Sequence, residues 1–273
     1  ETLPTFRSRV RLPSLAPFHI MRIFTNKKIE FFIKNLFLSE PYLLKKRAER
    51  FYKKQTEREI CYLPNLINKS SASIDIGVYR GVYSYFLSKE SEYVYAFEAN
   101  PLLIQKLKKG FLKYKNIKIE NLAVSSNQGF ANLKIPFRNQ NIDYSDYEEL
   151  YQLGTATIHE KNNLANTKFQ SFEIEKIKLD AYPFDHKIGF IKIDVEGHEL
   201  DIINGAKKLI SKDKPNLMIE IEEQHTGVSN IEIIKQIKEL GYECYFLNNH
   251  FQLEVVNQQN IKNISNNNFI FKQ

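Results

Sequence analysis

Two cysteines stand in the whole chain, Cys61 and Cys244, and they lie far apart. That excludes a disulfide framework and a cysteine metal cluster, and it fits a reducing cytoplasm. No apolar run exceeds a few residues, so no segment reads as a bilayer span. There is no internal repeat. The glycine triplet that cradles a dinucleotide pyrophosphate is missing, which disfavours a nicotinamide enzyme. What the chain does have is 42% hydrophobic residues over 273 positions, enough for one large core.

The formal net charge is +7. Solubility accounts for most of such an excess. Its functional reading is attraction to an anionic or lipid-linked glycan, a membrane surface or a nucleic acid. The excess gathers in Lys45, Lys46, Arg47, Arg50, Lys53 and Lys54. Leu43, Leu44 and Phe51 fall between them, so one helix over 42–56 should carry charge on one face and apolar side chains on the other.

Residues 1–20 hold three arginines, three prolines, no lysine and no asparagine, whereas the chain after Met21 is rich in Lys, Asn and Ile. The break predicts a leader foreign to the natural chain, with Met21 as its start. A basic helical extension is expected over 21–60 and the main domain over 61–273. From Ala72 strands alternate with helices, the pattern of a parallel sheet covered on both faces. Core strands are expected at 73–76, 94–98, 117–124, 190–194, 216–221, 242–247 and 268–272. Segments 131–136 and 172–179 are expected as further strands. Asn100 and Pro101 start a helix as cap and first-turn residue. Leu200, Ile203, Ala206 and Ile210 form a helical face.

Ligands in such sheets bind at the carboxyl ends of the strands. Asp75, Gly77 and Gly81 form a DxGxxxG turn after the first strand. Gly77 allows a sharp turn and Gly81 a close approach to the ligand. A short glycine set suits a nucleoside without a diphosphate. Glu98 ends the second strand about twenty residues further on, where a carboxylate can accept bonds from ribose hydroxyls.

The stretch Ile191-Lys192-Ile193-Asp194-Val195-Glu196-Gly197-His198-Glu199 is the most informative. Asp194 ends a buried strand, and Glu196 and His198 belong to the turn after it. Ionisable groups crowded there are costly unless used. Asp194, Glu196 or His198 could act as base or orienter of a reacting hydroxyl. Glu220, Glu222, Glu223 and His225 follow the next strand and should face the same cleft. Asp194, Glu196, Glu220 and His225 could also hold a hard divalent cation such as Mg²⁺. The plainer reading of Glu196 and Glu199 is that they favour the positive end of the following helix.

Together these blocks resemble the FkbM family of methyltransferases. The strongest is IKIDVEGHELDIINGA (191–206), supported by DIGVYRGVYS (75–84), FEANP (97–101), NLAVSSNQG (121–129) and Leu179-Asp180. The resemblance implies a Rossmann-like methyltransferase fold of seven strands, the last antiparallel. It implies S-adenosylmethionine as donor and O-methylation, often of sugars or secondary metabolites. It puts Asp75, Gly77 and Gly81 along the donor's methionine part, Glu98 on the ribose, Asn121 and Ala123 near adenine, and Asp194 and Glu196 by the transferred methyl. Val78 and Tyr79 depart from the family's usual Ala-Asn, which removes a side-chain contact and leaves the turn's backbone role. The acceptor is expected near Tyr144, Tyr147 and Tyr151, whose rings could stack on sugar faces. An RNA methyltransferase and a donor-binding module without catalysis are the competing readings. The acidic 194–199 turn argues against nucleic acid, and the intact acidic cluster argues against a dead module.

Overall fold

The computed structural model describes residues 38–136, 156–158, 169–222, 229–264 and 267–273. Its main sheet is built from β1 (Ala72–Ile76), β2 (Val94–Phe97), β3 (Ile117–Glu120), β7 (Ile188–Ile193), β8 (Asn216–Glu220), β9 (Glu243–Leu247), β10 (Leu253–Val255) and β11 (Asn268–Lys272). The order across it is β10-β9-β11-β8-β7-β1-β2-β3. Strands β3, β2, β1, β7 and β8 run parallel, while β11 lies antiparallel between β8 and β9. This is the Rossmann-like methyltransferase arrangement, with β10 as an eighth strand beyond the seven expected. β10 is short and pairs antiparallel with β9. Between them Asn248 Oδ1 accepts from the backbone N–H of His250 and Gln252, a local turn of the kind Asn side chains build.

Both faces of the sheet are buried, as near-continuous apolar strands require. Phe190, Met218 and Ile270 face one layer, packed with Leu44, Ala48, Leu87, Leu103 and Leu107. Ile191, Ile193, Leu217 and Ile219 face the other, packed with Ile202, Ile203, Ile233 and Ile237. The first layer is supplied by α1 (Glu40–Lys54), α2 (Glu59–Tyr62), α3 (Val82–Glu90) and α4 (Pro101–Gly110). The second is supplied by α5 (Glu199–Asn204), α6 (Lys207–Asp213) and α7 (Asn230–Lys238). Truncating a core residue such as Ile191 to Ala should cost about 2–5 kcal/mol. As expected, Asn100 caps α4, accepting from Leu102 N–H at 3.0 Å, with Pro101 at the first position.

Three local expectations change. The basic helix spans Glu40–Lys54 and is not an appendage: α1 packs on α3 and α4 inside the compact unit Ser39–Gln273. Arg47 also leaves the charged face. It is buried and donates to the Arg80 carbonyl at 2.9 Å. The expected strand 117–124 breaks at Asn121, so that β4 (Ala123–Val124) joins β5 (Gly129–Pro136) and β6 (Phe169–Ile177) in a separate three-stranded sheet. The helical face of Leu200 to Ile210 is two helices, α5 and α6, parted at Gly205. A Cβ on Gly205 would stand 2.0 Å from the Ser125 carbonyl, so only glycine admits that approach.

Register sets the site. Ile76 pairs with Phe97 on one side and Ile193 on the other, and Ile193 pairs with Ile219. The next residue of each strand therefore emerges at one level: Gly77, Glu98, Asp194 and Glu220.

Candidate active site

Above those strand ends lies a cleft of about 750 Å³, its open mouth included. Gly77, Glu98, Ala123, Asp194, Glu196 and His198 line it. The sequence singled out all six. Gly77 has φ +84°, and a Cβ there would sit 1.8 Å from the Asp194 carbonyl. The glycine is thus required by the crossing of the two turns, which ties the β1 turn to the β7 turn.

Glu98 is buried, with Oε2 accepting from Tyr79 N–H and Oε1 from Asn100 N–H, each at 2.7 Å. Each oxygen keeps a lone pair for a further donor. Burial pushes this carboxyl up to about 7, against those two hydrogen bonds. Phe97, Leu103, Leu122 and Ala123 make the wall beside it apolar. A carboxylate next to an apolar slot is what a ribose joined to a flat base requires, so the cleft fits a nucleoside such as that of S-adenosylmethionine. Tyr79 enters through its backbone, at φ +49°; the αL turn aims its N–H at Glu98. Its ring also lines the cleft.

Three expected donor contacts take other places. Asp75 is fully buried beneath the turn, where it accepts from the Ser84 hydroxyl. Burial lifts its carboxyl to about 7, with Ser84 and Lys192 opposing. Gly81 faces away from the cleft, since a Cβ there would meet Phe111 at 2.8 Å and Leu107 at 3.2 Å. It permits helix packing, not ligand approach. Asn121 donates from Nδ2 to the carbonyls of Glu98 and Ala99 at 2.9 and 3.1 Å. It fixes the turn that carries Glu98.

The reacting end turns on a residue the sequence reading passed over. Lys192 is wholly buried, and its ammonium lies 3.3 Å from Asp194 Oδ2 and 3.1 Å from Asn268 Oδ1. Burial alone would lower the Lys192 pKa. The surrounding charges, Asp194 first and then Glu220, Glu57 and Asp75, outweigh that and hold the ammonium above its usual range. Asp194 opens to the cleft. Its burial is overcome by Lys192 and by a hydrogen bond from Glu220, so it stays an anion below the usual carboxylate range. Burial and the charge of Asp194 push Glu220 the other way, toward the protonated acid. A charged residue inside an apolar strand was the available signal for Lys192.

Glu196 is pushed up to about 7 by burial, then by Asp194 and Glu222. The Glu196 carbonyl accepts from the Thr157 hydroxyl at 2.8 Å. Ala156, Thr157 and Ile158 line the cleft, so the irregular middle of the chain does reach the site. Tyr144, Tyr147 and Tyr151 lie outside the described residues. His198 Nε2 is 2.9 Å from Ser125 Oγ, and Nδ1 is 3.4 Å from Asp201 Oδ2. It is held as a positioned ring. No three acidic, histidine or cysteine groups among the described residues converge as a cation's ligands. The expected set of Asp194, Glu196, Glu220 and His225 gains no support, and His225 lies outside the described residues.

Four carboxyls, Asp75, Glu98, Glu196 and Glu199, are each raised to about 7, burial being the largest cause in every case. A raised folded pKa means the folded state binds more protons. Stability from these groups is complete below their unfolded values, near 4, and is lost as pH rises toward 7. The ligand-free protein is therefore expected to melt highest near pH 5 and progressively lower up to pH 8. A melting temperature that climbs over that window would contradict the burial of these groups.

A mostly parallel sheet with Glu98 and the Asp194–Glu196 turn emerging at one level is a Rossmann-like arrangement. The family model for the methyltransferase FkbM domain matches residues 75–244, and the chain belongs to that family. Among solved structures it is similar to the methyltransferase FkbM from Methylobacillus flagellatus KT, at 17% identity over 74% of this chain and 44% of that one, with a TM-score of 0.47. It is also similar to a protein of Streptococcus mutans crystallised with SAH, at 15% identity over 79% and 94% of the two chains, with a TM-score of 0.40. An rRNA methylase from Streptococcus thermophilus matches at 14% identity over 79% and 93%, with a TM-score of 0.39. The family assignment rests on the domain match. This chain spans less than half of the Methylobacillus chain. No curated protein matches it. Among the described residues no helix is long and apolar enough to cross a membrane.

Proposed function

We propose that the chain is an S-adenosylmethionine-dependent O-methyltransferase acting on a hydroxyl of a sugar, a glycan or a similar polar metabolite. The observation that carries this reading is the register of β2, β1 and β7, which sets Glu98 and the Lys192-held Asp194 in one cleft. When bound, the donor supplies an electrophilic methyl on a sulfonium. Glu98 would hold the ribose and the Phe97–Leu122–Ala123 wall the adenine. Asp194, anionic at neutral pH, would orient the acceptor hydroxyl and balance positive charge. Glu196, raised to about 7, is the better proton acceptor, because a base works best with a pKa near the operating pH. His198 would keep the turn in place.

The crowd of carboxyls at the reacting end disfavours a phosphate there, which speaks for a polar metabolite over nucleic acid. The test is transfer of labelled methyl from S-adenosylmethionine to extracts of a strain lacking the gene, with products identified by mass spectrometry. The expected product is a methyl ether on a hydroxyl-rich metabolite, formed at an unchanged rate in the presence of chelator. Methylation of RNA at a base nitrogen, with none on hydroxyls, would overturn the proposal.

A further inference from the structure

Beside the donor cleft and beneath its reacting end is a second recess of about 280 Å³, its mouth included, lined by Asp194, Val195, Glu196, Glu199, Glu220 and Glu222. Every ionisable group in that lining is a carboxyl. Lys192, in contact with Asp194 at 3.3 Å, stands outside the lining, buried in the sheet. Glu199 is 2% exposed. Its Oε1 accepts from the Gly197 N–H at 3.1 Å, and its Oε2 is buried with no hydrogen-bond partner among the described residues. A buried carboxylate oxygen left unmatched is costly, and this one belongs to a wall of the recess.

We infer that this recess receives a protonated primary amine carried by the acceptor, so that the substrate is an amino sugar or another hydroxyl compound with an ammonium group beside the methylated oxygen. A primary ammonium brings three donors and one positive charge, which matches an orphan acceptor among carboxyls. Asp194 and Glu196 line both the recess and the donor cleft. An ammonium seated on Glu199 therefore leaves the neighbouring hydroxyl of the same molecule at the reacting end. The protonated amine has no lone pair and is not itself methylated. A divalent cation is the competing occupant. It would need three or more converging ligands, and no such group is found among the described residues. Among the described residues no basic side chain lines this recess.

The inference rests on the methyltransferase reading, and one titration separates the two. Protein saturated with S-adenosylhomocysteine is titrated with D-glucosamine, D-glucose and N-acetylglucosamine, followed by saturation-transfer NMR. Glucosamine is expected to bind about tenfold or more tighter than either neutral sugar, a gap of about 1.4 kcal/mol. Glu199→Gln should remove most of that preference while keeping its cooperative melt, and Glu222→Gln, at the rim, should reduce it less. Equal binding of the three sugars overturns the inference, as does a preference that survives both substitutions. So does displacement of glucosamine by millimolar Mg²⁺ in the wild type but not in Glu199→Gln, which would make the recess a metal site. If S-adenosylhomocysteine fails to bind while the glucosamine preference persists, the donor reading falls and the ammonium site stands.

Discussion

Asp194→Asn is expected to bind the donor as the wild type does and to lose methyl transfer by roughly a hundredfold or more, the size of effect seen when a group acting on proton removal or orientation is lost. Donor affinity should survive because the ribose contact is on Glu98, one strand removed from β7. The fold should survive as well. Lys192 is also faced by Glu220, Glu57 and Asp75, and Glu220 is held neutral in part by Asp194. With that charge gone, Glu220 can ionise and take over as the counter-ion. Glu196→Gln should likewise keep the donor and lose turnover, and the wild-type rate should rise with pH through about 7 as Glu196 ionises. Single-turnover measurement on both variants checks this. Near-normal turnover in both would make the acidic turn structural.

Lys192→Met is expected to be the most destabilising change at the site. It removes the buried cation from a cluster of carboxyls, and breaking a buried pair from one side costs about 3–5 kcal/mol. The pH dependence gives the sign. Asp194 is depressed in the folded protein, so its contribution is present above the unfolded carboxylate pKa and lost as pH falls through the folded value. Without Lys192 its pKa rises. The gap between variant and wild type should therefore be widest at neutral pH and close as pH falls through the folded Asp194 value, below the usual carboxylate range. Equal melting temperatures at pH 7 would show that the 3.3 Å contact carries no weight.

Most of the sheet was legible because apolar strands and capped helices are local patterns. β1, β2, β7, β8, β9 and β11 fall within two residues of their expected ends. Gly77, Glu98, Ala123, Asp194, Glu196 and His198 share one cleft because the topology brings four sequence blocks to the carboxyl ends of the main sheet. What escaped was set by contacts between distant segments. Asn121 stops β3 by donating to the Glu98 and Ala99 carbonyls, which periodicity cannot show. Gly81 reads like a ligand-side glycine until Phe111 is placed against it. Lys192 looks like one charge in a strand until Asp194, Glu220 of β8, Asp75 of β1 and Glu57 are placed around it.

The most direct measurement of the central claim is a calorimetric titration of S-adenosylhomocysteine into the wild type, Glu98→Ala and Asp194→Asn. Glu98 receives two backbone N–H bonds and stands beside an apolar slot, so it should dominate ribose recognition. Micromolar-order binding to the wild type is expected, weakened about tenfold or more in Glu98→Ala and little changed in Asp194→Asn. Absence of binding to folded wild-type protein, or equal affinity in Glu98→Ala, would contradict it.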